Sequence, residues 1–381
     1  LPPTMHMAVA KACLQHGCHL FTASYTSDEM RALGEAAAAK GLLFMNELGL
    51  DPGIDHLSAS RLLDEAKDQG LRVDGFESHC GGLVALENCG DNPWQYKFTW
   101  NPRNVVLAGQ GGAVKFIQEG KYKYIPYHKL FRRTEFFHVE GYGKFEGYAN
   151  RDSLKYRSIY GLDDILTLYR GTIRRVGFSK AWNMFVQLGM TDDSYVMENT
   201  ETMSYRDFIN SFLPFHASDS VELKTRMALG IEQDDIMWDK LVELDIFNSN
   251  KIIGLKKATP AQILERILND SWTLQPDDKD MIVMYHKFGY EINGERKQID
   301  SKMVCIGDDQ IYTAMAKTVG LPVAVATLQI LNGNIKTPGV QLPINKEVYE
   351  PILIELAAHG IVFNETEMPY VGYNPDKLEG N

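Results

Sequence analysis

HLFTASYTSDEMRALGEAAAAKGLLFMNELGLDPGIDHL, residues 19–57, reads as strand, helix, strand and helix in succession. His19–Ser24 is a short apolar run of the kind a buried strand needs. Ser27-Asp28 can cap a helix over residues 29–40, which Gly41 stops. Leu42–Glu47 is a second buried strand. Asp51-Pro52 then offers an N-cap followed by proline at the first helical position, predicting a helix to about Asp68. Upstream, Met5, Val9, Ala12 and Cys13 recur at helical spacing over residues 4–17, with Thr4 as cap and Gly17 as stop. This alternation is the rhythm of a doubly wound parallel sheet, so the fold class is α/β.

Working outward, Leu71–Cys80 alternates as a strand. Asp280–Ile292 and Arg296–Ile306 also alternate and are joined by Asn293-Gly294, a strong hairpin signal. Residues from about 155 to 270 carry mostly helical patterns, at Gly161–Arg170, Ala181–Leu188, Tyr205–Leu213 and Pro260–Asn269. A mainly helical insertion within an α/β body is therefore expected.

Composition narrows the function. The 381 residues are 44% hydrophobic and 23% charged, which suits two or three globular domains and excludes collagen-like or low-complexity chains. With 39 basic against 50 acidic residues, the net charge of −11 argues against a general nucleic-acid role. The longest apolar run, Val319–Leu331, is interrupted by Gly320 and Pro322, so no membrane partner is expected. Five cysteines are odd in number and few, which points to free thiols in a reducing cytoplasm. No histidine–cysteine spacing suits zinc, and no metal is expected.

Four segments could carry chemistry. MNELGLDPGIDHL (45–57) follows a strand and opens a helix, where open α/β sheets hold ligands, so Asp51 is a candidate base or ligand contact, although spacing alone favours a plain helix cap. SHCGGL (78–83) places paired glycines after Cys80, for close ligand approach or simply a turn. Arg151, Arg170, Arg174 and Arg175 cluster amid apolar residues; their guanidinium forks suit a small polyanion, or a surface ion-pair face. The aromatic run NPWQYKFTW (92–100) suits either a core or a pocket wall. No glycine-rich dinucleotide turn follows any predicted strand.

Together, MNELGLDPGIDHL, CGGL (80–83), YKFTW (96–100), NRDS (150–153), RGTIRR (170–175), DKDMIVMYHKFG (278–289) and TAMAKTVGLPVA (313–324) resemble the NADP-dependent, glutamate-forming saccharopine dehydrogenases, also called saccharopine reductases. The resemblance spans nearly the whole chain in order. It implies NADP-dependent hydride transfer between saccharopine and the imine of glutamate with 2-aminoadipate 6-semialdehyde, in lysine metabolism. It also implies a partial Rossmann-like parallel sheet (1–50 and 350–381), an α/β substrate domain (51–125 and 271–349) and the helical insertion (126–270). A homodimer is the default expectation for an enzyme of this size, and the cysteine usage suits the cytoplasm. Carried over by position, Ser24, Tyr25, Arg151, Thr172, Ile173 and Arg174 are substrate contacts. Leu50, Asp51, Pro52 and Phe98 are cofactor contacts. Asp51, Cys80 and Tyr25 are the candidates for proton transfer, because imine formation needs polar groups at the nicotinamide end. Saccharopine has three carboxylates, so an arginine requirement follows from charge as well.

Departures from the family pattern accompany the match. Where the family reads CGGL-Pro-Ala-Pro, this chain continues Val84-Ala85-Leu86-Glu87, and Ala149 replaces a proline before NRDS. Leu1-Pro2 resembles the end of the fourth Rossmann strand. The glycine-rich nucleotide turn then lies outside this sequence, and the chain alone is expected to be inactive. The rival readings are a related imine reductase for another amino-acid pair and a non-catalytic substrate-binding or dimerisation module.

Overall fold

The structure, a computed structural model, describes residues 5–372. Thr4 and Leu1-Pro2, expected as a helix cap and a strand end, lie outside these, as does the end of the chain from residue 373. The strands are β1 (Leu20–Phe21), β2 (Leu43–Met45), β3 (Arg72–Val84), β4 (Val114–Gln118), β5 (Lys121–Ile125), β6 (Thr134–Val139), β7 (Gly143–Ala149), β8 (Thr167–Arg175), β9 (Asp280–Ile292), β10 (Glu295–Ile306), β11 (Gly339–Gln341) and β12 (Asn364–Pro369). The chain divides into two compact units, one of residues up to Cys80 with 155–168 and 281–372, the other of 81–154 and 169–280.

The first unit holds the expected parallel sheet, in the order β1-β2-β11. Leu20 pairs with Phe44 and Phe21 with Met45, both parallel, and β11 joins the other side of β2 from late in the chain. The helix His6–His16 ends at Gly17 in left-handed conformation, as its glycine stop predicts. Ser27 caps the next helix by accepting from the Met30 amide at 3.1 Å. The expected single helix over 29–40 is two, Asp28–Arg31 and Gly34–Ala39. A hairpin of β9 and β10 extends to β12, all antiparallel. Its turn residues Asn293 and Gly294 have φ of 52° and 80°, the paired left-handed conformation that an Asn-Gly hairpin requires.

The apolar run expected to be interrupted at Gly320 and Pro322 is instead one continuous helix, Ala314–Leu331. It is long and apolar enough to cross a membrane. Here Ala314, Val325 and Ala326 pack with Leu43, Leu50, Ile54, Leu57, Val348 and Ile352 in the unit's core, so burial against neighbours overrides the helix-breaking tendency of proline.

The second unit pairs β4 with β5, β6 with β7, and β7 with β8, all antiparallel. Its helices include Phe178–Leu188, Tyr205–Asn210 and Pro260–Trp272, close to the sequence reading. The helix expected over Gly161–Arg170 does not form. A turn there leads directly into β8, whose Thr167, Tyr169, Thr172 and Ile173 favour an extended chain. The run 92–100 resolves as core: Trp94, Tyr96 and Phe98 pack with Phe178, Phe185 and Trp272 at ring separations of 5.0–6.2 Å.

Candidate functional site

In the first unit, the loops that follow β1 and β2 carry the predicted proton-handling residues. Leu48 and Glu47 donate backbone bonds to the carbonyls of Thr22 and Ser24, both at 3.1 Å, so the two loops run side by side. This lays Tyr25 against Asp51, whose Oδ1 accepts from the tyrosine hydroxyl at 3.3 Å. Ser24 sits beside them, in a groove of about 380 Å³ that His6, Phe21, Thr22 and Ala23 also line along β1. Leu50 and Cys80 are both buried in the same apolar cluster behind this loop.

Asp51 does not cap the helix that follows, as the Asp-Pro signal predicts. The 51–52 peptide is cis, the helix starts at Ile54, and Gly53 occupies the cap position with a φ of 151°. Asp55, not Asp51, accepts from the Gly53 amide, at 2.6 Å. The Asp51 carboxylate, not engaged in capping, pairs with Tyr25 instead. Gly49 and Gly53 close the loop, with the Gly49 amide bonded to the Pro52 carbonyl and the Ile54 amide to the Gly49 carbonyl, each at 2.9 Å.

Several further groups of the first unit are not singled out by the sequence. The Lys155 ammonium lies 4.8 Å from the Tyr25 ring centre and 4.9 Å from that of Tyr156, placing a positive charge beside the pair. Glu47 is buried and hydrogen-bonds His56 at 2.8 Å and the Thr26 amide at 2.9 Å. Burial opposes its ionisation, but His56 and Thr26 outweigh that and hold its carboxyl at about 2. On β3 and β9, burial likewise opposes ionisation of Glu77, yet Lys287 at 3.3 Å and His79 at 3.5 Å hold it at about 2. Burial in turn pushes His79 down, favouring the neutral ring.

These two carboxylates define an acid limit. A group whose pKa is depressed by folding adds stability above its unfolded value, near 4.5, and loses it as pH falls through the folded value. The share of stability that these carboxylates supply, read by urea denaturation as the difference between wild type and a Glu→Gln variant, is therefore expected to be flat above about pH 5.5 and to fall toward pH 2, by on the order of 2 kcal/mol for each carboxylate. For Glu77→Gln, a difference that stays constant with pH would show that Glu77 is not ionised in the fold.

The second unit arranges the predicted arginines and Phe98. On β8, Thr172 lies opposite Tyr148 and Arg174 opposite Glu146, on one face of the strand, whereas the fully buried Ile173 points the other way. The Arg174 guanidinium is buried among the rings of Tyr96 at 5.1 Å, Phe178 at 5.3 Å and Tyr148 at 5.9 Å. Phe98 stands next to Tyr96, ring centres 6.1 Å apart. Arg151 is placed differently: it is exposed, just beyond β7, with a left-handed φ of 54°. Gly81 and Gly82 make no turn, since both lie within β3. A Cβ on Gly81 would stand 2.4 Å from the Ile173 carbonyl oxygen, so the close approach that it permits is to the β8 backbone. The Val84–Glu87 departure falls at the end of β3 and the start of the 3-10 turn Leu86–Asn88.

Comparison with known proteins converges on one family. Residues 49–361 match the saccharopine dehydrogenase C-terminal domain. The saccharopine dehydrogenase [NADP(+), L-glutamate-forming] of Schizosaccharomyces pombe is 34% identical over 96% of the chain and 82% of its own length. The mitochondrial alpha-aminoadipic semialdehyde synthase of Rattus norvegicus is 36% identical over 96% of the chain, and the chain spans 40% of that longer protein. A structure of apo saccharopine dehydrogenase (L-Glu forming) from Saccharomyces cerevisiae superposes with a TM-score of 0.86, at 31% identity, over 97% of this chain and 83% of that one. The parallel sheet, the LDPG loop with its Tyr25–Asp51 pair and the arginine-bearing β8 are thus features of a chain that belongs to the saccharopine dehydrogenase family.

Proposed function

We propose that the gene product carrying this chain interconverts saccharopine with glutamate and 2-aminoadipate 6-semialdehyde, using NADP(H). The observation that carries this reading is the Tyr25–Asp51 pair, set by two loops at the carboxyl ends of adjacent parallel strands, with Lys155 over the tyrosine ring. That is where open α/β sheets bind nucleotides and their substrates. By family resemblance, Leu50, Asp51 and Pro52 would hold the nicotinamide end of NADP; Phe98, assigned the same role, packs in the aromatic core of the second unit. NADP+ bound at Leu50–Pro52 supplies the hydride acceptor.

The remaining chemistry falls to side chains. Oxidation of the saccharopine CH–NH bond takes a hydride from carbon and a proton from nitrogen, leaving an imine. Water then adds to give a carbinolamine, and C–N cleavage returns glutamate and the semialdehyde. Asp51 accepts the amine proton and returns it through the Tyr25 hydroxyl to the imine nitrogen as it takes a proton from the attacking water. The same relay protonates the leaving nitrogen as Asp51 takes the carbinolamine hydroxyl proton, and the last proton passes to solvent. Cys80, buried behind the loop, shapes the apolar wall in this reading and takes no proton. Ser24 orients the substrate beside this pair; Thr172, the Ile173 backbone, Arg151 and Arg174 are substrate contacts by family resemblance alone, the arginines suiting carboxylates.

Saccharopine-dependent NADPH formation, followed by nicotinamide absorbance, tests these roles. Asp51→Asn and Tyr25→Phe are each expected to lower kcat by roughly 10²–10³-fold. Wild-type turnover in both variants would remove the pair from the chemistry.

A further inference from the structure

Resting on that reading, we propose that Glu47, His56 and Tyr160 form a positioning network that holds Tyr25 in register with Asp51. Glu47 follows β2 with a left-handed φ of 57° and is only 2% exposed. One carboxylate oxygen accepts from the amide of Thr26, the residue after Tyr25, at 2.9 Å. The other accepts from His56 Nε2 at 2.8 Å. His56 is fully buried in the helix that follows the Asp51 loop, so a single carboxylate ties the Tyr25 loop to the Asp51 loop.

The network continues through the far side of the imidazole. Nδ1 of the ring and the Tyr160 hydroxyl are hydrogen-bonded at 2.6 Å. The His56 ring also packs on Tyr156 and Tyr160, at 5.5 and 5.7 Å, and those two tyrosines stack on each other at 6.0 Å. The segment so anchored begins with Lys155, whose ammonium sits over the Tyr25 ring. Tyr25 is therefore gripped twice, at its backbone through Thr26 and Glu47, and at its ring through Lys155, Tyr156 and His56. An apolar cluster of the same volume would fill this space without the desolvation cost of a buried carboxylate and imidazole. What the polar chain adds is one fixed geometry, because each member has a defined donor or acceptor to meet.

The test is a double-mutant cycle in the gene product carrying this chain, read as saccharopine-dependent NADPH formation. Glu47→Gln and Tyr160→Phe are each expected to lower kcat about tenfold or more, with KM within about threefold, since they misplace a reacting group rather than a binding one. In a Tyr25→Phe background the Glu47→Gln loss should shrink to less than about threefold, because the group it positions is already gone. Tyr160→Phe, which deletes only a hydroxyl, keeps the test open if Glu47→Gln fails to fold. Undiminished losses in the Tyr25→Phe background, or no loss from either network variant while Tyr25→Phe is impaired, overturn the network and leave the assigned activity standing. No turnover of saccharopine by the wild type, or an unimpaired Tyr25→Phe, overturns the functional reading and the network with it.

Discussion

A methyl group at residue 53 is expected to destabilise the protein by more than about 4 kcal/mol, the range reserved for substitutions that a backbone cannot accommodate. Gly53 has a φ of 151°, a conformation that residues with a side chain rarely adopt. A Cβ at this position would stand 1.9 Å from the Gly49 carbonyl oxygen and 2.3 Å from the Gly49 nitrogen. Those atoms cannot yield cheaply, because the Gly49 amide bonds Pro52 and its carbonyl accepts from Ile54. Strain at this point moves the Asp51 carboxylate, so Gly53→Ala should also abolish turnover in whatever fraction remains folded. Urea denaturation of Gly53→Ala beside wild type measures the first effect. A loss below about 1 kcal/mol would mean that the loop has another conformation open to it.

Removing the Arg174 charge is expected to weaken saccharopine binding by about 2–4 kcal/mol, as for one partner of a desolvated carboxylate pair. Arg174 is 3% exposed and ringed by Tyr96, Phe178 and Tyr148, so little solvent screens its charge. Arg174→Met keeps most of the packing volume and isolates the electrostatic part. Arg151 is exposed, so Arg151→Ala should cost less unless substrate buries it; about 1 kcal/mol is the expectation for a solvated pair. Calorimetric affinities of the two variants rank them. Unchanged affinity in Arg174→Met would assign that side chain to the aromatic core alone.

How much of this is legible in the sequence depends on distance along the chain. The β1–β2 rhythm, the Ser27 cap, the Gly17 stop and the Asn293-Gly294 turn are local signals, and each forms in the fold. Local signals also mislead where two structures share one. Asp-Pro marks a helix start as readily as the 51–53 loop, and only the tertiary bonds of Gly49 and Asp55 select the latter. Leu162, Ile165 and Leu166 have helical spacing, yet the β8 residues that follow set an extended path. Gly320 and Pro322 interrupt the run Val319–Leu331 as a sequence, yet packing against the core carries the helix through both.

The site divides the same way. Family motifs point to Tyr25 and Asp51, which the structure places in hydrogen-bond contact. Glu47 and His56 sit within the MNELGLDPGIDHL motif without a role that the sequence makes visible. Their link to Tyr160 spans 104 residues, and no spacing rule reaches that far. The face that Arg174 shares with Thr172 likewise depends on the pairing of β7 with β8.

If saccharopine is recognised through its carboxylates and amine, calorimetric titration of the gene product with saccharopine, and separately with glutamate, will separate the two ligands. Saturable saccharopine binding is expected at least about tenfold tighter than glutamate, because glutamate offers fewer carboxylates to the arginines. Absence of saccharopine binding, or equal affinity for both ligands, would contradict that recognition.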